Sequence, residues 1–386
     1  MELLTHLAAT SYINRNVALI QARHISTEPP ITGMSLKVSG TAVLVGLLVF
    51  AMACPGLLPG ALAAGPTCGG TITASVKLAG SIGPCSGDGI VIGADGVTLN
   101  CNGHTLTGSG PASTGIGVKA VGVVGVTIQN CRVSQFQTGI LVRSNVSTIS
   151  MNRSFQNTGD GVRIDSSEFV SVTGNTATGN GGDGFNLTSI IGGFFSSNIA
   201  LSNAFNGFDI ANSTNNIIAK STSNHNEGSG FFISYGSGNS VLYCNANFNA
   251  NDFGFAVFGG SSNYLYYDIA RNNQQFGFSV LGSHNSLSYD TAIGNGQTGA
   301  GMGYIIWTGS SHNSLSNSVA LGNKNIGIYI AGDNNYIWHN KTPTSSAQSL
   351  AREDGTSGGG TLGTANVWFG NTPLSPPLNT FPAGLP

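Results

Sequence analysis

The sequence predicts an all-β solenoid, a chain wound into stacked coils, and three observations carry that prediction. A four-residue phrase, glycine–apolar–any–apolar, recurs nine times as GILV, GVRI, GFNL, GFDI, GFFI, GFAV, GFSV, GYII and GIYI. It opens at Gly139, Gly161, Gly184, Gly207, Gly230, Gly254, Gly277, Gly303 and Gly327, with spacings of 22, 23, 23, 23, 24, 23, 26 and 24 residues. No helical pattern intervenes between copies. A short strand returning at such a period marks coils built from strands.

The chain has 386 residues, and the coil pattern occupies only part of them. Met34 opens a stretch with one basic residue, Lys37, an apolar run from Ala42 to Ala53, and a small-residue stop at Ala61-Leu62-Ala63-Ala64. That order is the pattern of a secretory signal over 34–64. The apolar run is shorter than the roughly 20 residues a membrane-spanning helix needs, so no transmembrane anchor is expected after its removal. Cys54 follows Ala51-Met52-Ala53, which falls short of a lipid-attachment box. Residues 1–33 carry neither repeat nor apolar run and read as an upstream artefact of start-site choice. The protein is therefore expected to be secreted, periplasmic or on the cell surface.

Residues 65–386 hold 11 Lys and Arg against 14 Asp and Glu, a formal charge of −3. So sparse a set lacks the basic clusters of a nucleic-acid footprint, and no nucleic-acid partner is expected. Low charge with abundant Gly, Ser, Thr and Asn can signal disorder, but the strict apolar period excludes it. Cys68 and Cys85 flank a short segment ahead of the repeats, and export permits their oxidation to a disulfide. Cys101 and Cys131 each lie in an early coil and either pair or are simply buried. Cys244 reads as a lone interior thiol. No Cys or His spacing supports zinc.

Within each phrase the residues one and three after Gly are apolar, from Ile140/Val142 and Phe208/Ile210 through to Ile328/Ile330. Period-two alternation puts both on one face of a strand, and stacking superposes like on like about 4.8 Å apart. Burying two such side chains per coil contributes several kcal/mol, so the interior is one shared column. A second strand carries an apolar residue two after Asn, at Asn239/Val241, Asn263/Leu265, Asn285/Leu287, Asn313/Leu315 and Asn335/Ile337, with looser versions through Ile149 and Val172. Asn also stands four before Gly at positions 157, 180, 203, 226, 273 and 323. Stacked Asn side chains form hydrogen-bonded ladders, and Asn tolerates left-handed turn geometry.

These Asn-x-apolar and Asn-x-x-x-Gly-apolar phrases resemble those of the right-handed parallel β-helix repeat proteins, the pectin-lyase-like group that includes the periplasmic NosD type. The opening Cys68-Gly-Gly-Thr-Ile-Thr, followed by Ala94-Asp95-Gly-Val-Thr-Leu-Asn-Cys-Asn-Gly-His104-Thr, is similar to the start of many such secreted proteins. The resemblance covers about 68–342. It implies a right-handed parallel β-helix of roughly ten or eleven coils with an N-terminal cap over 65–342. The Pro/Gly/Ser-rich tail 343–386 is then expected to pack on it. For activity the resemblance is uninformative, because this fold hosts lyases, hydrolases, epimerases, adhesins and non-catalytic proteins. The Asn-Thr-Asp, Asp-Asp, Gly-His-Gly and Arg-Ile-Lys set of polygalacturonases is absent. So are the Asp-Pro-His-Asp of alginate epimerases and the basic strand of a pectate lyase.

Candidate chemistry is therefore geometric. Asp160 and Asp183 precede the glycines of adjacent coils and should stack about 5 Å apart. Arg163, Asp165, Asn186 and Asp209 fall on the outer face nearby. Paired carboxylates suit glycosidase chemistry, in which one pKa is raised by its neighbour. The same oxygens also suit a hard cation such as Ca2+, and Asp-Gly is equally a turn dipeptide. No other cofactor is expected. Asp268 and Asp290 occupy the position held by Asn152 and Asn175 in earlier coils and read as ladder substitutions. His284 and His312 should lie near each other; the NosD resemblance implies copper there, while surface turns need no metal.

Farther along, outward positions become aromatic: Phe232, Phe258, Trp307 and Tyr329, with Tyr264/Tyr266 and Tyr336/Trp338 on the second strand. Such rows fit sugar stacking, a covering segment or a partner. The expectation is an exported protein that presents an extended surface to a polysaccharide or cell-surface glycan. The alternatives are a glycoside hydrolase or polysaccharide lyase using the stacked carboxylates, and a non-catalytic structural or NosD-like accessory protein. The sequence leaves the oligomeric state open.

Overall fold

The computed structural model describes residues 65–297, 301–342, 350–354, 366–372 and 380–381. The readings of 1–33 and 34–64 lie outside them. Every named element among the described residues is a strand, and no helix there is long and apolar enough to cross a membrane. The strands form three parallel sheets of 14, 13 and 11 members, and each coil contributes one strand to each sheet in turn. This is a right-handed parallel β-helix of about 12 turns among the described residues, with the third-sheet position continued past its last strand by bridges from Val319 to Lys341 and Lys341 to Thr372.

The phrase strands make the first sheet, with Val162–Glu168, Phe185–Ile191, Phe208–Ala211 and Phe231–Ser234 as successive rungs. Register is strict: Phe185 pairs with Phe208, Phe208 with Phe231, and Phe231 with Phe255. Their rings stack at centroid spacings of 4.7, 4.6 and 4.9 Å within 4° of parallel. Phe278 and Tyr304 continue the column at 4.9 and 4.8 Å. The Asn-led strands build the second sheet and bury Ile149, Val172, Phe195, Ile218, Val241 and Leu265 in register. The third sheet consists largely of three-residue strands whose interior residue is small: Ala177, Ala200, Ser223, Ala246 and Ala270.

Small residues there follow from the phrase glycine. A Cβ on Gly184 would lie 2.7 Å from the Gly207 carbonyl, 2.8 Å from Asn203 Nδ2 and 2.9 Å from Ala200 Cβ. The phrase opens on glycine because backbone, ladder amide and third-sheet side chain converge at that point.

Asn ladders close the corners. Asn157, Asn180, Asn203, Asn226, Asn249, Asn273, Asn295 and Asn323 form one unbroken column. Each Oδ1 takes the backbone N–H of the preceding rung, as Asn203 Oδ1 takes that of Asn180 at 3.1 Å. Left-handed geometry, expected of these Asn, belongs instead to the residue before each: Gln156, Ser202, His225 and Phe248 have φ of 53°, 53°, 54° and 56°. One left-handed residue turns the chain, and the buried amide after it replaces the ladder bonds that the corner interrupts.

Disulfides join Cys68 to Cys85 and Cys101 to Cys131, and Cys244 is free and buried. Cys101 and Cys131 open the column that continues as Asn152, Asn175 and Asn198. Replacing both Cys101 and Cys131 by Ser should lower stability by about 2–4 kcal/mol in urea unfolding, since the bridge closes a long loop in the unfolded chain. In the tail, Leu350–Asp354 and Thr380–Phe381 add rungs to the first sheet and Val367–Phe369 adds one to the second.

Candidate functional site

Asp160 and Asp183 do meet, and each serves first as a corner residue. Asp160 Oδ1 accepts the backbone N–H of Asp183 at 3.0 Å, and Asp183 Oδ1 accepts that of Asn206 at 2.8 Å. Asn206 Oδ1 in turn accepts the N–H of Ser229 at 2.8 Å. The position before the phrase glycine is therefore a capping column that two coils fill with acids. Asp183 Oδ2 accepts from Asn186 Nδ2 at 3.2 Å, and Asn186 Oδ1 accepts the Thr188 hydroxyl at 2.9 Å.

The register of the first sheet brings the other candidates into one outward row: Leu141, Arg163, Asn186, Asp209 and Phe232 on successive rungs. Asp209 thus stands beside the Asp160/Asp183 corner. Its Oδ1 is shut off from solvent and accepts no hydrogen bond. Burial, then the charges of Asp209 and Asp160, push the Asp183 carboxyl up to about 7 against the pull of the Asn206 N–H and the Asn186 amide. Burial and Asp160 push Asp209 up to about 6. Asp160 is raised mainly by burial, while the Asp183 N–H and the Arg163 charge draw it back. Burial thus raises three carboxyls on three adjacent coils, and with Asp183 near 7 and Asp209 near 6 acid and base forms coexist near neutrality.

Asp165 does something else. Its Oδ2 takes Arg143 Nη2 at 2.9 Å and Arg163 Nε at 3.0 Å, and the residue is only 5% exposed. It pins two guanidiniums beside the acid group. Arg143 escaped the sequence reading, although its place four after Gly139 matches that of Asp165 after Gly161.

Phe232, Phe258, Trp307 and Tyr329 lie half-buried against an outer cluster of Phe253, Phe276, Ala256 and Ile305. Phe253 and Phe276 reach over from the preceding corner and stack at 5.5 Å, and Trp307 Nε1 donates to Ser279 Oγ at 2.8 Å. A more open aromatic surface lies on the second sheet and its corner, where Tyr243, Tyr267 and Tyr289 stack at 5.3 and 5.0 Å. The corner position of these tyrosines hides them from a period-two reading.

His284 and His312 stack at 5.0 Å. Among the described residues, no group of three or more His, Cys, Asp or Glu is arranged to hold a metal ion. Asp268 and Asp290 stand in the corner column as ladder residues: Asp268 Oδ1 accepts the Cys244 N–H at 2.7 Å and Asp290 Oδ1 that of Asp268 at 2.8 Å.

No curated protein matches the chain. Residues 114–269 match the family model described as a right handed beta helix region. A mutant of the periplasmic alginate epimerase AlgG is similar in structure, with a TM-score of 0.51 at 12% identity over 80% of this chain and 76% of that one. The catalytic domain of a GH87 alpha-1,3-glucanase variant, solved with nigerose, has a TM-score of 0.50 at 15% identity. That match covers 78% of this chain and 64% of the other, so the chain spans less than two thirds of the glucanase structure. At such identities the likeness is one of fold. Three parallel sheets wound in turn, with the family model matched through the central coils, make the chain a right-handed parallel β-helix in fold.

Proposed function

We propose that the chain is an exported protein that presents the outer face of its first sheet to an extended polysaccharide, gripped at Asp160, Asp183 and Asp209. The observation that carries this reading is the acid group itself: three carboxyls gathered on adjacent coils, Asp183 raised to about 7 and Asp209 to about 6, with an Asp209 oxygen that is buried and accepts nothing. Asn186 and the guanidiniums of Arg143 and Arg163 supply donors beside it, and a rigid stack of coils offers a long chain equivalent contacts. Farther along, Phe232, Phe258, Trp307 and Tyr329 offer apolar surface to the same ligand. The two disulfides suit the oxidising compartment that the 34–64 pattern implies. Two proteins of like fold, an alginate epimerase and an alpha-1,3-glucanase, act by their names on polysaccharides.

A glycan array identifies the ligand, and Asp183→Asn/Asp209→Asn tests the site. Asn keeps the Oδ1 that caps Asn206, so the fold is retained. Affinity for the array hit should fall at least tenfold with the thermal midpoint held or raised. Equal affinity in the variant would remove the acid group from the interface.

The positions of Asp183 near 7 and Asp209 near 6 favour a second reading, hydrolysis or elimination on the bound chain. Reducing-end release from the array hit should then follow a pH profile with a limb between about 6 and 7, and Asp183→Asn should abolish release while binding persists. A profile flat across that range would count against acid–base chemistry here.

A further inference from the structure

At the N-terminal end, the corner between the second and third sheets carries charge that the polysaccharide reading does not use. Arg132 and Arg153 are register partners on adjacent rungs of the third sheet, and both are exposed. Rungs lie about 4.8 Å apart, so two like charges stand side by side. The ion pairs among the described residues engage Lys119, Arg143 and Arg163, and neither Arg132 nor Arg153 has a carboxylate. Phe155 holds the two together, with guanidinium carbons 5.8 and 5.0 Å from its ring centroid. A ring face attracts each cation and restricts both forks, but it does not neutralise them.

Beside the pair opens a cleft of about 520 Å3, lined by Asn100, Asn102, Asn130, Met151 and both arginines. Cys131 lines it too, so its wall is braced by the bridge to Cys101. Asn100 Oδ1 is already occupied, accepting the Asn102 N–H at 2.9 Å and Asn130 Nδ2 at 3.3 Å. The net character the cleft offers a ligand is cationic.

We propose that this cleft is an oxyanion-binding site in which one carboxylate, sulfate or phosphate group bridges Arg132 and Arg153. A planar guanidinium matches two oxygens of such a group at once, and a single anion between two forks relieves their mutual repulsion. The site lies away from the first-sheet face and stands whether or not that face binds a polysaccharide.

Calorimetric titration of the whole protein with inorganic phosphate, sulfate and glucuronate, each against chloride at matched ionic strength, tests it. At least one should bind saturably. Affinity should drop at least tenfold in Arg132→Gln/Arg153→Gln and stay within twofold in Arg271→Gln, an arginine elsewhere on the same sheet. Binding of glucuronate alone assigns the group to a sugar acid; binding of sulfate or phosphate assigns it to an ester or the free ion. Because both side chains are exposed, the double variant should keep its thermal midpoint, and Arg153→Gln alone gives the same readout if it does not. No saturation by any of the three, or unchanged affinity in the variants, overturns the proposal.

Discussion

Replacing Phe231 by Ala should destabilise the protein by about 3–5 kcal/mol, read as a lowered urea midpoint. The ring is 1% exposed and sandwiched between Phe208 at 4.6 Å and Phe255 at 4.9 Å. Neither neighbour can slide into the void, because each is tied by register to its own rung and stacked on a further ring. The cavity therefore stays open, and its cost adds to the lost transfer energy. Phe231→Leu should cost less, since it refills most of the volume while giving up the ring stacking. The site is central, and coils are stabilised only by neighbours, so the variant should also unfold less cooperatively, as two partly uncoupled halves. A loss below about 1 kcal/mol would mean that the aromatic column is not what couples the coils.

Substituting Asn at both Asp268 and Asp290 should flatten the dependence of stability on pH and strengthen the protein at neutrality. Both carboxyls are fully buried, with Asp268 between Cys244 and Asp290 in a column otherwise rich in Asn. Burial, and for Asp268 the charge of Asp290, raise both well above the usual carboxylate range. A raised folded-state pKa stabilises fully below the unfolded value of about 3.9 and loses that stability as pH climbs toward the folded value. Each group should thus cost about 1.4 kcal/mol per pH unit across that window. Asn retains the Oδ1 acceptor and does not titrate. The gap between variant and wild type should widen as pH rises above about 4 toward the raised folded-state values; Asp183 and Asp209 slope the same way in both proteins and cancel. Parallel stability–pH curves would show that the two acids are not held protonated.

The coil period and the inward columns were legible because the phrase strand buries two residues of strict alternation, as in Phe208/Ile210. The third sheet was not. Its strands are about three residues long with a mostly small interior residue, and where Thr or Asn flank it, as around Ala177 and Ala246, no apolar alternation survives. Asn249 and Asn295 escaped the ladder for a different reason: extra residues separate them from Gly254 and Gly303, and a fixed offset misses them. In the candidate site, Asp160 beside Asp183 followed from counting back from glycine. Asn206 stands at the same offset before Gly207 and was open to the same count, whereas the way Asp165 absorbs two arginines depends on side-chain directions that spacing does not carry.

Corner amides that bond to the next rung make coil geometry indifferent to how much polypeptide is spliced between corners. Asn273 and Asn295 are 22 residues apart and Asn295 and Asn323 are 28 apart, yet both links close, at 3.0 and 2.9 Å. The ladder thus tolerates chain inserted between its corners, and the amides act as clamps between which segment length is free to vary while the scaffold keeps its pitch.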